Sequence, residues 1–267
     1  MKKKVNLRKT LFLLPSLFTL SSIFCGFYAT LLALEGADAG TFYRASLLIV
    51  FAMFFDLIDG RVARLTKTQS AFGVQIDSLA DLVSFGVAPA VLVYRWSLAE
   101  LELAGLVVAF VFVACGAIRL ARFNVLAAAA DGAPKKPGKY IVGLPTPGAA
   151  GVLVSLVVAN HAVGGHLERL TGLVLAIVLT LSFFMVSTIK FRSFKDLKLN
   201  GRTLALFAVA LGSSAAFALL FHPSFALVWL LASYLAIGVA ETLFNLSRRG
   251  FRRGPTEPEE EEEPADA

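Results

Sequence analysis

Four aspartates at regular spacing stand out as the residues of this sequence most suited to chemistry. Asp56 and Asp59 are three residues apart, and Asp77 and Asp81 are four apart, with a short connecting segment, 65–72, between the pairs. On helices these spacings place each pair on one face. Because the connection is short, we expect two antiparallel neighbouring helices that bring all four carboxylates to one site.

A cluster of this kind needs positive charge, because carboxylates held close together cannot all stay ionised without it. Oxygen ligands favour Mg²⁺ or Mn²⁺, whereas Zn²⁺ would prefer histidine or cysteine. We therefore expect two divalent ions, held by Asp56, Asp59, Asp77 and Asp81. A pair of ions suits transfer at phosphorus, since each can bind oxygens of a diphosphate and stabilise a leaving group.

Small residues share the helix faces of these aspartates. Gly60 and Ala63 follow Asp59 on the first face, and Gly73 precedes Asp77 on the second. They would let a nucleotide or diphosphate approach the backbone, although close helix packing explains any one of them alone. Arg64, beside the cluster, is either a partner for phosphate charge or an ordinary cytoplasmic arginine.

The elements that must position these residues are strongly apolar. Of 267 residues, 57% are hydrophobic and 16% charged, which is more apolar surface than a soluble domain of this length buries. We predict an all-α fold, a polytopic membrane bundle of about eight transmembrane helices. The apolar runs long enough to cross a bilayer are 11–34, 43–58, 71–93, 103–126, 145–160, 170–188, 204–221 and 224–244.

Basic residues predict the orientation of this bundle. With both termini cytoplasmic, all of the 25 lysines and arginines except Arg44, Arg95 and Arg169 fall in segments on the inner side. This bias predicts a multi-pass protein of the inner (cytoplasmic) membrane whose aspartates face the cytoplasm. The net charge of +6 then reflects topology and attraction to anionic membrane lipids, and does not indicate nucleic-acid binding.

The chain divides into three predicted parts. Residues 1–10 form a cytoplasmic lead-in, either an amphipathic interfacial segment or a plain positive anchor, and 11–247 form the membrane domain. Residues 248–267 begin with arginines and end in an acidic stretch with five consecutive glutamates, a composition that predicts a disordered tail. Cys25 and Cys115 fall within spans, where we expect small packing residues.

The stretch from Asp56 to Asp81 resembles the signature of the CDP-alcohol phosphatidyltransferase family, D-x2-D-G-x2-A-R-x8-G-x3-D-x3-D, and matches it without a gap. Segments 14–20, 81–90, 118–125, 143–147 and 186–195 are similar to the membrane-bound bacterial members that use serine as acceptor. The resemblance implies transfer of the phosphatidyl group from CDP-diacylglycerol to serine, with release of CMP.

The same resemblance implies individual roles. Asp56, Asp59 and Asp77 would bind metal, and Asp81 would bind the second ion and act as the base. The CDP site would be formed by Gly60, Ala63, Arg64 and Gly73. The family often has Asn where this chain has Ser16, so no nucleotide contact is assigned to Ser16.

The choice of base also follows from the residues themselves. A serine hydroxyl needs a proton acceptor as it attacks, and the three histidines, His161, His166 and His222, fall on the predicted outer side. A carboxylate must therefore act, which favours Asp81 and excludes a phosphohistidine route. The acceptor's carboxylate would need a guanidinium or ammonium group. Candidate acceptor residues, for which interfacial anchoring is an equal explanation, are Arg119, Arg122, Asn124, Ser187, Thr188 and Lys190.

Other functions are also consistent with parts of this pattern. The same chemistry could use glycerol 3-phosphate, an inositol phosphate or an archaeal-type ether lipid substrate. A divalent-cation transporter would also need intramembrane carboxylates, but along a through-path, whereas these four lie at one end of their spans. Helix dimers through an apolar face would give a homodimer.

Overall fold

The structure is a computed structural model that describes residues 7–36, 38–66, 70–128 and 140–192, and the single residue Gly212. Helices dominate these ranges. In chain order the elements are α1 (Leu7–Glu35), α2 (Ala39–Leu65), α3 (Ala71–Asp81), a π-helical segment (Leu82–Val87), α4 (Ala88–Trp96), a 3₁₀ turn (Leu98–Leu101), α5 (Glu102–Ala128), β1 (Tyr140–Val142), α6 (Thr146–Ala162), a 3₁₀ turn (Leu167–Arg169), α7 (Thr171–Val186) and β2 (Lys190–Arg192).

The predicted helical bundle is confirmed, with one addition. β1 and β2 pair antiparallel, with Tyr140 opposite Arg192 and Val142 opposite Lys190. Strands of three residues are too short to show an alternating pattern in the sequence, so this pair was not predicted.

Four helical stretches are long and apolar enough to cross a membrane, and two shorter apolar helices, α6 and α7, accompany them. Large apolar side chains such as Phe24, Phe51 and Phe110 point outward, as expected for a membrane protein whose surface faces lipid. These six elements coincide with the first six predicted spans. The predicted spans 204–221 and 224–244 and the tail 248–267 lie outside the described residues.

Small side chains let α1 and α2 pack closely. Ala29 and Ala33 on α1 and Ala45 and Ala52 on α2 are fully buried, an arrangement typical of helix contacts in membranes. At the start of α2, the Asp38 carboxylate accepts a 2.6 Å hydrogen bond from the backbone N–H of Thr41. Hydrogen bonds from Thr41 hold the pKa of Asp38 below its usual range, so this helix cap is ionised at neutral pH.

The π-helical segment continues α3 directly after Asp81 and packs against α1. Ser84 Oγ donates a 2.9 Å hydrogen bond to the carbonyl of Ser22. Gly26 lies so close that a Cβ there would be 2.6 Å from Ser84 Cα. The wider π turn rotates the following residues relative to an α-helix, so Ser84 faces α1 while Asp81 remains on the face of α3 that carries Asp77.

The end of the bundle away from the aspartates is held by a buried amide. Asn160 Nδ2 donates to Glu168 at 2.6 Å, and its Oδ1 accepts from the backbone N–H of His166 and Leu167. His161 stacks on Tyr43, with ring centroids 4.5 Å apart. His161 and His166 therefore lie far from the aspartates, whereas His222 is outside the described residues.

Candidate active site

Three of the four aspartates meet between α2 and α3. Asp56, Asp59 and Asp77 each offer a carboxylate oxygen, and these oxygens lie within 4.8 Å of one another. Asp56 and Asp59 come from the last three turns of α2, and Asp77 from the middle of α3. The helical spacing read from the sequence thus corresponds to one acidic cluster.

Asp81 adds a fourth carboxylate to the cluster. It lies close enough to Asp56, Asp77 and Arg119 for their charges to interact. Its Oδ1 atom is buried without a hydrogen-bond partner in the described part of the chain. A buried carboxylate oxygen without a partner is costly. Its position beside three other carboxylates is where a cation would supply the missing interaction.

The donor set fits a hard divalent cation. Carboxylates provide the oxygen ligands that Mg²⁺ and Mn²⁺ prefer, and the two described histidines lie at the other end of the bundle. Four carboxylates in one half-buried cluster also repel each other unless positive charge lies among them.

A threonine that the sequence analysis did not single out contacts this cluster. Thr19 Oγ1 donates a 2.8 Å hydrogen bond to Asp59 Oδ2, and the two residues are only 5% and 4% exposed. Ser16 and Thr19 are three residues apart on α1, in a largely apolar run that also contains Ser21 and Ser22. Two polar residues on one face of an apolar helix are the signal that would have found them.

A cleft of about 550 Å³ opens beside the cluster, between α1, α2 and α3, within the usual range for small-molecule sites. Its walls contain all four residues assigned to CDP by resemblance, together with two of the aspartates and two polar residues of α1. These are Gly60, Ala63, Arg64, Gly73, Asp59, Asp77, Ser16 and Thr19. The small residues and the carboxylates thus share one open space.

The start of α3 forms part of this wall. Ser70 caps the helix by accepting a 3.0 Å hydrogen bond from the backbone N–H of Gly73. A Cβ at position 73 would lie 3.2 Å from Ser70 Oγ, and one at position 60 would lie 3.6 Å from Arg64 Nη1. Larger residues at these positions would therefore narrow the cleft.

Arg119, a predicted acceptor residue, lies beside Asp81 and is 8% exposed. Its Nη1 donates a 3.2 Å hydrogen bond to Thr146 Oγ1 at the start of α6. Its guanidinium carbon lies 4.7 Å from the ring centroid of Phe123. Thr146 and Phe123 fall in segments noted above for their family resemblance, but the sequence analysis gave them no role.

Arg122 lies on α5, three residues after Arg119, and contacts the end of α7. Its Nη1 donates a 3.0 Å hydrogen bond to the carbonyl of Val186, while its buried Nη2 has no hydrogen-bond partner among the described residues. Gly143, with φ of +75°, lies against this guanidinium, and a Cβ there would be 2.6 Å from the carbonyl oxygen of Met185. Glycine is therefore required at this turn.

The other candidate acceptor residues are less directly connected to the aspartates. Ser187 Oγ donates to the carbonyl of Phe184 at 2.9 Å, Thr188 is exposed, and Lys190 lies in β2. Asn124 contacts a different face of α3, where it accepts from Ser78 Oγ at 3.1 Å and donates to Gln75 Oε1 at 3.2 Å. A second cleft, of about 430 Å³, lies there.

The sequence also matches a known protein family and several known proteins. Residues 12–189 match the sequence model of the family described as "CDP-alcohol phosphatidyltransferase". The chain is similar to the CDP-diacylglycerol–serine O-phosphatidyltransferase of Helicobacter pylori, with 37% identity over 246 residues, which cover 91% of this chain and 96% of the relative. It is also similar to proteins of the same name from Bacillus subtilis, at 35% identity over 68% of this chain and 91% of the relative, and Methanocaldococcus jannaschii, at 34% identity over 69% and 79%.

Proposed function

This chain belongs to the CDP-alcohol phosphatidyltransferase family, and from that membership we propose that it is a phosphatidylserine synthase. It would transfer the phosphatidyl group of CDP-diacylglycerol to the hydroxyl of L-serine, giving phosphatidylserine and CMP. The observation that carries this proposal is the cleft whose walls combine aspartates with Gly60, Ala63, Arg64 and Gly73. The names of the relatives support serine as the acceptor.

The donor would bind in this cleft. Gly60, Ala63 and Gly73 leave room for the diphosphate, and Arg64 offsets its negative charge. Two Mg²⁺ or Mn²⁺ ions held by the four aspartates, Asp56, Asp59, Asp77 and Asp81, would neutralise the diphosphate and stabilise CMP as the leaving group.

Asp81 would act as the base. As the serine hydroxyl oxygen forms a bond to the phosphorus of the phosphatidyl group, its proton passes to the Asp81 carboxylate. The bond from that phosphorus to the oxygen shared with CMP breaks, and CMP leaves with the bonding electrons. The place of Asp81 one helical turn beyond Asp77, within the acidic cluster, supports this role.

The acceptor would be held by arginines. Arg119 lies within electrostatic range of Asp81, so a serine carboxylate bound to its guanidinium would place the hydroxyl near the base. Arg122 provides a second guanidinium from the same face of α5. The remaining acceptor candidates are Ser187, Thr188, Lys190 and Asn124. Because Asn124 contacts Gln75 and Ser78, it would affect the acceptor only by positioning α3.

The cellular setting is part of the proposal. A multi-pass protein of the inner membrane with a cytoplasmic active site would meet serine from the cytoplasm and its lipid donor from the bilayer. The positive-inside distribution of lysine and arginine supports this orientation. A homodimer through an apolar helix face is a further expectation.

An acceptor panel tests this proposal. Purified full-length protein in lipid nanodiscs would receive CDP-diacylglycerol, Mn²⁺ or Mg²⁺, and serine, glycerol 3-phosphate or an inositol phosphate in turn. We expect CMP release that depends on serine. CMP release with one of the other acceptors but not with serine would support phosphatidyl transfer and refute serine as the acceptor. Mn²⁺ flux into proteoliposomes without CMP release would favour a transporter.

A further inference from the structure

Thr19 connects α1 to the acidic cluster of α2 and α3. Its hydroxyl lies 2.8 Å from Asp59 Oδ2, although the two residues are 40 positions apart in the chain. Both are almost fully buried, and both line the donor cleft. The contact therefore joins a third helix to the carboxylates of α2 and α3.

The chemistry of this contact is directional. An ionised carboxylate only accepts hydrogen bonds, so the hydroxyl of Thr19 must be the donor. One proton from Thr19 uses one lone pair of Oδ2 and restrains rotation of the carboxylate. The backbone N–H of Gly60 also donates to this carboxylate, and lone pairs of its oxygens remain for a cation. Hydrogen-bonded partners of ligating carboxylates orient them and tune metal affinity.

We propose that Thr19 is a positioning residue that orients the Asp59 carboxylate for a divalent cation. This inference rests on the proposed metal-binding role of the aspartates. It extends the site beyond the two helices that carry the D-x2-D-G…D-x3-D pattern, because the orienting group comes from α1. Removing the hydroxyl should weaken cation binding without disturbing the packing of α1.

The test is Mn²⁺ binding to the purified full-length protein in detergent, measured by the loss of the electron paramagnetic resonance signal of free Mn²⁺. Thr19→Val keeps the shape of the side chain and removes the donor, and should raise the Kd for Mn²⁺ about 10- to 100-fold. Thr19→Ser keeps the donor and should bind nearly as tightly as the wild type. In an Asp59→Asn background, Thr19→Val should have no further effect.

Thr30→Val is the matched control, because Thr30 lies on the same helix and its hydroxyl donates to the carbonyl of Gly26 at 2.9 Å. It should bind Mn²⁺ like the wild type. Equal affinity of Thr19→Val and wild type would overturn the proposal. So would a loss of affinity in Thr19→Ser, or loss of helical circular dichroism in Thr19→Val, because either result makes Thr19 a packing residue. A wild-type protein that binds no Mn²⁺ would instead refute the metal site itself.

Discussion

Arg119 Nη1 donates a 3.2 Å hydrogen bond to Thr146 Oγ1, which fixes a buried guanidinium on α5 against the first residue of α6. The guanidinium carbon also lies over the ring of Phe123, and its charge interacts with the carboxylate of Asp81. A planar group held in this way has a defined orientation. Arg119 is therefore restrained beside the proposed base.

The first prediction concerns this guanidinium. Arg119→Lys keeps the charge but loses the planar fork that can bind a carboxylate through two hydrogen bonds. We expect the KM for serine to rise about tenfold, equivalent to about 1.4 kcal/mol, with little change in the KM for CDP-diacylglycerol. Steady-state CMP release with each substrate varied in turn measures both constants.

Arg95→Lys is the control for this substitution, since Arg95 is exposed and lies in the last turn of α4. It should leave both KM values unchanged. An equal rise in the two KM values of Arg119→Lys would show that this arginine supports the fold of the site and does not contact serine.

The second prediction separates the base from the other carboxylates. Asp81→Asn keeps the size of the side chain but removes the proton acceptor, so kcat should fall about 10²- to 10⁴-fold. Binding of CDP-diacylglycerol in the presence of Mn²⁺ should largely persist, because three carboxylates still cluster. Single-turnover CMP release and equilibrium binding together measure the two effects.

Asp38→Asn is the matched control, because Asp38 caps α2 at the opposite end and asparagine is an equally good cap. It should retain native kcat. If Asp81→Asn turned over at the wild-type rate with normal donor binding, another group must accept the proton.

The site could be predicted from the sequence where its residues follow helical spacing. Asp56, Asp59 and Asp77 could be placed together because their spacing and the short connection leave two helices little choice of arrangement. The same geometry argues against grouping Asn124 with Arg119, because five residues along a helix turn the side chain by about 140°. The structure accordingly finds Asn124 with Gln75 and Ser78 on another face of α3.

Contacts between distant helices could not be predicted in this way. Thr19 meets Asp59, and Arg119 meets Thr146, only because of how the helices pack. The π-helical segment after Asp81 also has no periodic pattern of its own. Such features depend on tertiary packing, which a single sequence does not encode in any local spacing.

The third prediction follows from repulsion within the acidic cluster. Without divalent cations, Asp56→Asn should raise the melting temperature, because it removes one of several like charges within 4.8 Å. A gain of 1 kcal/mol would correspond to roughly 2–4 °C in a chain of this size. With saturating Mn²⁺ the wild type should instead have the higher melting temperature. A cation at about 100 times its Kd stabilises the wild type by about 2.7 kcal/mol.

Thermal unfolding in EDTA and in Mn²⁺, followed by tryptophan fluorescence, provides both comparisons. Asp38→Asn again serves as the control and should show the wild-type response to Mn²⁺. A variant Asp56→Asn that is less stable than the wild type in EDTA would indicate that the cluster is held by hydrogen bonds among its members and does not require a cation.

The fourth prediction tests the packing that places Asp81. In Gly26→Ala, the new Cβ would lie 2.6 Å from Ser84 Cα, so α1 and the π-helical segment must separate. Overpacking of this kind costs about 1–3 kcal/mol, and kcat should fall as well, because the displaced segment begins directly after Asp81. Gly172→Ala is the control, since a Cβ at position 172 meets nothing within 4 Å. Thermal unfolding and CMP release should both distinguish the two variants. A Gly26→Ala protein with native stability and kcat would show that the position of Asp81 does not depend on this contact.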